Sequence, residues 1–168
     1  MKTLFFLSIC AALLIMNPRQ NFAQISDDDK EFVTETYEDV LLQLKLGELA
    51  QVSGSVASVK DFGKTMTTEY SKTKEGLNAL AKNKNITLSS ELSEKGQRKY
   101  ERLSKRVGHS FDKEYMDYMI EFQKDLAHEF DEASEDSKDS DVKTWAATTL
   151  PSMKSNIESA RSLYKSIK

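Results

Sequence analysis

Three glutamates are the first residues in this chain whose types and placing could do chemistry. Glu48, Glu69 and Glu121 lie on separate segments of helical period. Acids from different helices that face one another across a bundle can bind an ion through oxygen alone, a donor set suited to a hard cation more than to iron or zinc. A buried carboxylate needs a partner or a raised pKa, so exposed positions at the edge of the core compete with that reading. There are two histidines. Asp125-Leu126-Ala127-His128 has the i, i+3 spacing of a di-metal carboxylate motif, but no second acid-x-x-His completes it. Phe122, Leu126 and Phe130 define the apolar stripe there and leave Asp125 and His128 on its flank, on a face expected to be solvated. His109 stands at a helix junction, where local hydrogen bonding is its expected use.

A second group is apolar. Met66, Tyr70, Tyr118 and Met119 could line an apolar ligand pocket, since methionine adapts to irregular shapes; ordinary core packing is the competing reading. Trp145 reads as a packing anchor. Nucleophilic catalysis finds no support: there is no Gly-x-Ser-x-Gly elbow and no histidine with an orienting acid, and no glycine loop cradles phosphate. Lys95, Arg98, Lys99, Arg102, Lys105 and Arg106 form a basic run that could touch anionic lipid, but Glu91, Glu94 and Glu101 interleave as on a solvated face.

The elements that must position these residues are helices. Val59, Phe62, Met66, Tyr70, Thr73, Leu77 and Leu80 recur at steps of three and four, as do Val142, Ala146, Thr149, Met153, Ile157, Ala160 and Tyr164. Ser26 before Asp27, Asp28 and Asp29 predicts the start of a first helix running to about Ser53. Gly54 is expected in a left-handed turn and Ser55 as the cap of a second helix, Val56 to Lys82. A turn at Asn83–Asn85 opens a long connection with a short helix, ended by Gly108. A helix after Ser110, an exposed acidic corner at residues 131–141 and a last helix from Val142 to Ser166 complete the chain. Pro151 should kink that last helix. No strand is expected. One long crossover in the middle of four helices predicts an all-α, ferritin-like four-helix bundle with a short extra helix in the crossover.

Residues 1–23 read as a secretory signal peptide: Lys2, an uncharged run from Leu4 to Met16, then Pro18 and a small residue at Ala23. The run is too short for a comfortable membrane span. Cys10, the only cysteine, falls inside it, so the mature domain, residues 24–168, must be held together by its core. Removal takes away two of 24 basic residues against 27 acidic ones, a net charge of −5. That balance argues against a nucleic-acid partner. No cofactor is expected. The partner is an envelope protein or small ligand that the sequence does not specify.

Phe111-Asp112-Lys113-Glu114-Tyr115-Met116 and Thr149-Leu150-Pro151-Ser152-Met153, with Leu46-Gly47-Glu48-Leu49-Ala50 and Asp61-Phe62-Gly63-Lys64, resemble domain-of-unknown-function family 4142. The resemblance implies an exported bacterial protein of the periplasm or envelope with a ferritin-like bundle. It also implies histidines at three places where this chain has Tyr70, Phe122 and Asn156, with acids beside two of them kept as Glu69 and Glu121. The expected function is therefore non-enzymatic binding or interaction, the family's imidazoles having been lost. The alternative is a metal site retained on the carboxylates.

Overall fold

The computed structural model describes residues 25–167; the segment read as a signal peptide lies outside them. Among the described residues the chain is all helix: α1 (Asp27–Ser53), α2 (Ala57–Lys84), α3 (Glu94–Ser104), α4 (Gly108–Asp136) and α5 (Ser140–Ser166). α1 begins where the Ser26 hydroxyl accepts a hydrogen bond from the Asp29 amide at 3.1 Å, with three aspartates at the positive end of the helix dipole. Its buried residues Val33, Tyr37, Val40, Gln43, Leu46 and Ala50 follow steps of three and four.

α1 and α2 are antiparallel and meet backbone to backbone. A Cβ on Gly47 would stand 2.6 Å from Thr67 Oγ1 and 2.9 Å from the Gly63 carbonyl oxygen. One on Gly63 would stand 2.8 Å from both the Ala50 Cβ and the Gly47 carbonyl oxygen. Such contacts are closer than packed side chains tolerate. α4 and α5 form the second antiparallel pair, with the Phe130 and Trp145 rings 5.0 Å apart. Phe32 of α1 lies 5.2 Å from Phe130 and 6.2 Å from Trp145, so one ring cluster joins the two pairs. Trp145 is the packing anchor the sequence suggests, and Gly76 of α2 leaves the space its indole occupies.

Each end of the bundle is closed by a buried aspartate. At one end Asp112 of α4 accepts the amides of Ser55 (2.9 Å) and Val56 (3.1 Å) and the Ser55 hydroxyl. At the other, Asp29 of α1 accepts the Ser137 hydroxyl (2.6 Å) and the Asp139 amide (3.0 Å). Each carboxylate thus supplies acceptors to the turn of the opposite helix pair, where backbone donors would otherwise go unmet.

Several local expectations are corrected. Gly54 has φ −59°, not a left-handed conformation; a side chain there would collide with the Ala50 carbonyl oxygen. Ser55 does not cap α2, because Asp112 engages it, and the N-cap is Val56 without a side-chain bond. α2 runs on to Lys84, and Asn85 takes the left-handed C-cap at φ 56°. Gly108, at φ 62°, opens α4 instead of only ending the helix before it. Residues 131–136 of the acidic corner belong to α4 and 140–141 to α5, and Asp139 between them is drawn in by Lys84 at 2.7 Å. α5 continues past Pro151, which is exposed along with Ala147, so water can take the freed carbonyl; the expected kink is compatible with that continuity.

Two substitutions test this frame. Asp112→Ala should lower the stability of the domain by about 2–3 kcal/mol in urea denaturation. Gly63→Val should cost a similar about 2–3 kcal/mol through overpacking; a wild-type midpoint for Gly63→Val would mean the α1 and α2 backbones are not in contact.

Candidate functional site

The interior carries a polar layer. Thr36, Gln43 and Tyr115 are fully buried, Gln123 is 2 % exposed and Tyr70 is buried. Gln43 Nε2 donates to the Tyr118 hydroxyl at 3.4 Å, and Gln123 Nε2 to the Met66 sulfur at 3.1 Å. Thr36 Oγ1, Gln43 Oε1, Tyr115 Oη and Gln123 Oε1 have no hydrogen-bond partner. Burial raises the pKa of all three phenols. Tyr118 is pushed up to about 12, with the bond from Gln43 acting the other way, and Tyr70 and Tyr115 are pushed higher.

One edge of this layer reaches a slot between α2, α4 and α5. It is lined by Glu69, Tyr70 and Thr73, by Gln123 and Leu126, and by Ser152, Met153 and Asn156, and holds about 20 Å³. That is room for one water-sized occupant. The Thr73 hydroxyl donates to the Glu69 carbonyl at 3.2 Å, and the Ser152 hydroxyl to the Thr149 carbonyl at 2.8 Å. At the mouth, Glu69 pairs with Lys72 at 2.8 Å.

The structure distributes the residues singled out in the sequence unevenly. Glu69 reaches the slot, whereas Glu48 is exposed and Glu121 is exposed and paired with Lys124 at 2.6 Å. The three are not brought together, and among the described residues no group of three or more His, Cys, Asp or Glu side chains is placed to hold a metal ion. Their helical spacing put each at a stripe edge, but the edges face different neighbours. Of Met66, Tyr70, Tyr118 and Met119, Tyr70 lines the slot and the two methionines are buried in the core. Tyr118 instead lies beneath α3, with the Lys99 ammonium 3.9 Å from its ring centroid. The Phe122 ring separates the two tyrosines, 6.5 Å from Tyr70 and 5.8 Å from Tyr118. His128 is exposed, 3.6 Å from Glu132, and His109 is exposed in the first turn of α4. The arginines of the basic run are matched: Arg98 pairs with Glu94 at 3.3 Å, and Arg102 and Arg106 both pair with Glu114, at 3.1 Å and 2.7 Å.

Tyr70 and Asn156, at two of the positions where the resemblance implies histidine, line the same slot, and Phe122, at the third, stacks edge-on against Tyr70. Sequence reasoning missed Gln123 and Gln43. Their signal was available: each falls on a helical stripe, and Gln123, beside the half-buried Phe122, is the residue that takes the buried place.

Asp39 of α1 is half-buried. Burial pushes its pKa up to about 6, against the pull of Lys95 and with Glu35 and Glu38 adding to the rise. A carboxyl with a raised folded-state pKa favours the fold most below its unfolded value near pH 4, and this contribution is lost as pH rises through about 6. Asp39→Asn should therefore stabilise the protein at pH 7 by about 1–2 kcal/mol, allowing for its part exposure, and change little at pH 4. Melting curves at the two pH values check this; an equal effect at both would remove Asp39 as the titrating group.

The model of the family described as Domain of unknown function (DUF4142) matches residues 16–163. Among curated proteins no match is found. A crystal structure of a DUF305 fragment from Deinococcus radiodurans is similar in fold, with a TM-score of 0.73 over 84 % of this chain and 97 % of that one. At 11 % identity this likeness concerns the fold alone. With a helical bundle whose turns are tied by Asp29 and Asp112, and a family model matching most of its length, the chain belongs to the DUF4142 family.

Proposed function

We propose that this is an exported, non-enzymatic protein of the bacterial periplasm or envelope that acts by binding, on a ferritin-like four-helix scaffold. The scaffold reading is supported by two antiparallel pairs, α1 with α2 and α4 with α5, and by the single long connection between them that carries α3. The observation that carries the binding reading is the chemistry of the polar layer. Gln43, Gln123, Tyr70, Tyr115 and Tyr118 can donate and accept hydrogen bonds, but amides do not titrate and burial moves the phenols further from neutrality. General acid–base catalysis works best with a group that titrates near the working pH. Both histidines are at the surface. Among the described residues no helix is long and apolar enough to cross a membrane, which fits an envelope protein held by contacts and not by a span.

Two measurements test the reading. After fractionation of cells producing the tagged full chain, the protein should be found in the periplasmic or envelope fraction with Gln24 as its first residue; cytosolic protein retaining Met1 would sink the export claim. Incubated with an envelope extract and followed by mass spectrometry, the purified protein should retain a ligand stoichiometrically. Catalytic depletion of a compound, abolished by one core substitution, would show an enzyme instead.

A further inference from the structure

The slot between α2, α4 and α5 is rich in oxygen acceptors. Thr73 and Ser152 donate their protons to backbone carbonyls, so for any further partner these hydroxyls have only lone pairs to offer. Gln123 gives its Nε2 to Met66, and its buried Oε1 has no partner. Among the described residues the Asn156 side chain makes no hydrogen bond. Glu69 adds one formal negative charge at the mouth, and its partner Lys72 is 66 % exposed. An unmet acceptor in the core is costly unless something satisfies it. The volume, about 20 Å³, excludes an organic ligand and admits a single ion or water.

We propose that this slot binds one hard cation of the calcium class, held by oxygens of Glu69, Thr73, Gln123, Ser152 and Asn156, with solvent outside the mouth completing the shell. Calcium accepts six to eight oxygens in flexible geometry and takes carboxamide and hydroxyl oxygens readily, whereas magnesium demands near-octahedral geometry and keeps most of its water. Met153 and Leu126 wall the slot without competing for the ion. A single carboxylate sets the affinity at the weak end, at a dissociation constant of roughly 10⁻⁴–10⁻³ M, the range of extracellular modules. The ion would link α2 to the α4–α5 pair at mid-height, where the two buried aspartates do not reach. The proposal rests on the binding reading and adds to it a weakly held ion, distinct from the ligand retained from the extract. The two fail separately, because neither the fractionation nor the turnover test involves calcium.

The test uses the chelator-washed full chain, titrated calorimetrically and melted with calcium chloride, magnesium chloride and potassium chloride in parallel. Calcium should raise the melting temperature saturably, with one site per chain. Gln123→Leu removes the unmet amide and should fold well, and half-buried Asn156→Leu gives a second variant. Each should weaken calcium binding by about tenfold or more. Asp136→Asn, in the acidic groove between α1 and α4, should leave it unchanged. The proposal is overturned by no saturable response, by magnesium or potassium acting as strongly as calcium, by calcium binding retained in both leucine variants, or by its loss in Asp136→Asn.

Discussion

Asp29 and Asp112 are buried carboxylates at opposite ends of the molecule, and each accepts hydrogen bonds from a turn of the helix pair to which it does not belong. Their reach is what makes two hairpins into one domain. A helix pair alone leaves its turn with backbone donors facing water, and a charged acceptor aimed at them is worth more than a neutral one. The arrangement is reciprocal: α1 supplies the acceptor for the α4–α5 turn, and α4 supplies it for the α1–α2 turn. Lys84 strengthens the first of these joints. Burial alone would raise the Asp139 pKa, but the Lys84 ammonium and the amides of Val142 and Asp141 together hold it below its usual value. As a depressed carboxyl, Asp139 supports the fold above its unfolded pKa, and that support fades as pH falls through the folded value.

Between these ends the core is neither uniformly apolar nor charged. Amides and phenols occupy places that leucine could fill, and three of their atoms, with the Thr36 hydroxyl, have no partner. Buried polar groups of this kind lower stability relative to hydrocarbon of the same volume unless satisfied, and they favour one arrangement of neighbours over others. The aromatic rings arrange themselves around them. Phe111 stacks on Tyr115 at 5.6 Å, Phe62 meets Tyr115 edge-on at 6.3 Å, and Phe122 sits between Tyr70 and Tyr118. One ring stacks on Tyr115, and the others meet the tyrosines edge-on or tilted.

The helices were legible from residue order because steps of three and four are a strong signal over long segments, as in Val59 to Leu80. The ends were less so. Ser55 has every property of a helix cap, yet a carboxylate from 57 residues further along the chain takes its hydroxyl. Gly54 looked like a left-handed residue, whereas crowding by a carbonyl oxygen is the constraint there. The candidate site was legible only in part. Glu69, Tyr70 and Asn156 drew notice as single positions, but nothing along the chain says that α2 and α5 bring them to one slot. Gln123 was passed over, and Thr73 was read only as a stripe position, because a neutral polar residue on a stripe resembles noise until its burial is known. Glu48 and Glu121 show the reverse error, since acids near a stripe attract a reading that side-chain exposure then denies them.

The contact of Gly47 with Gly63 has a mechanical consequence. Where Gly47 meets Gly63 the two backbones touch, with only Ala50 and Thr67 beside them, so small sliding of one helix past the other meets rigid main chain there. Shear along that seam would need a jump of about a full helical turn, roughly 5.4 Å. The first hairpin is therefore built to resist shear where Gly47 meets Gly63, a constraint that no comparable glycine contact with backbone places on α1 against α4 or on α2 against α5 among the described residues.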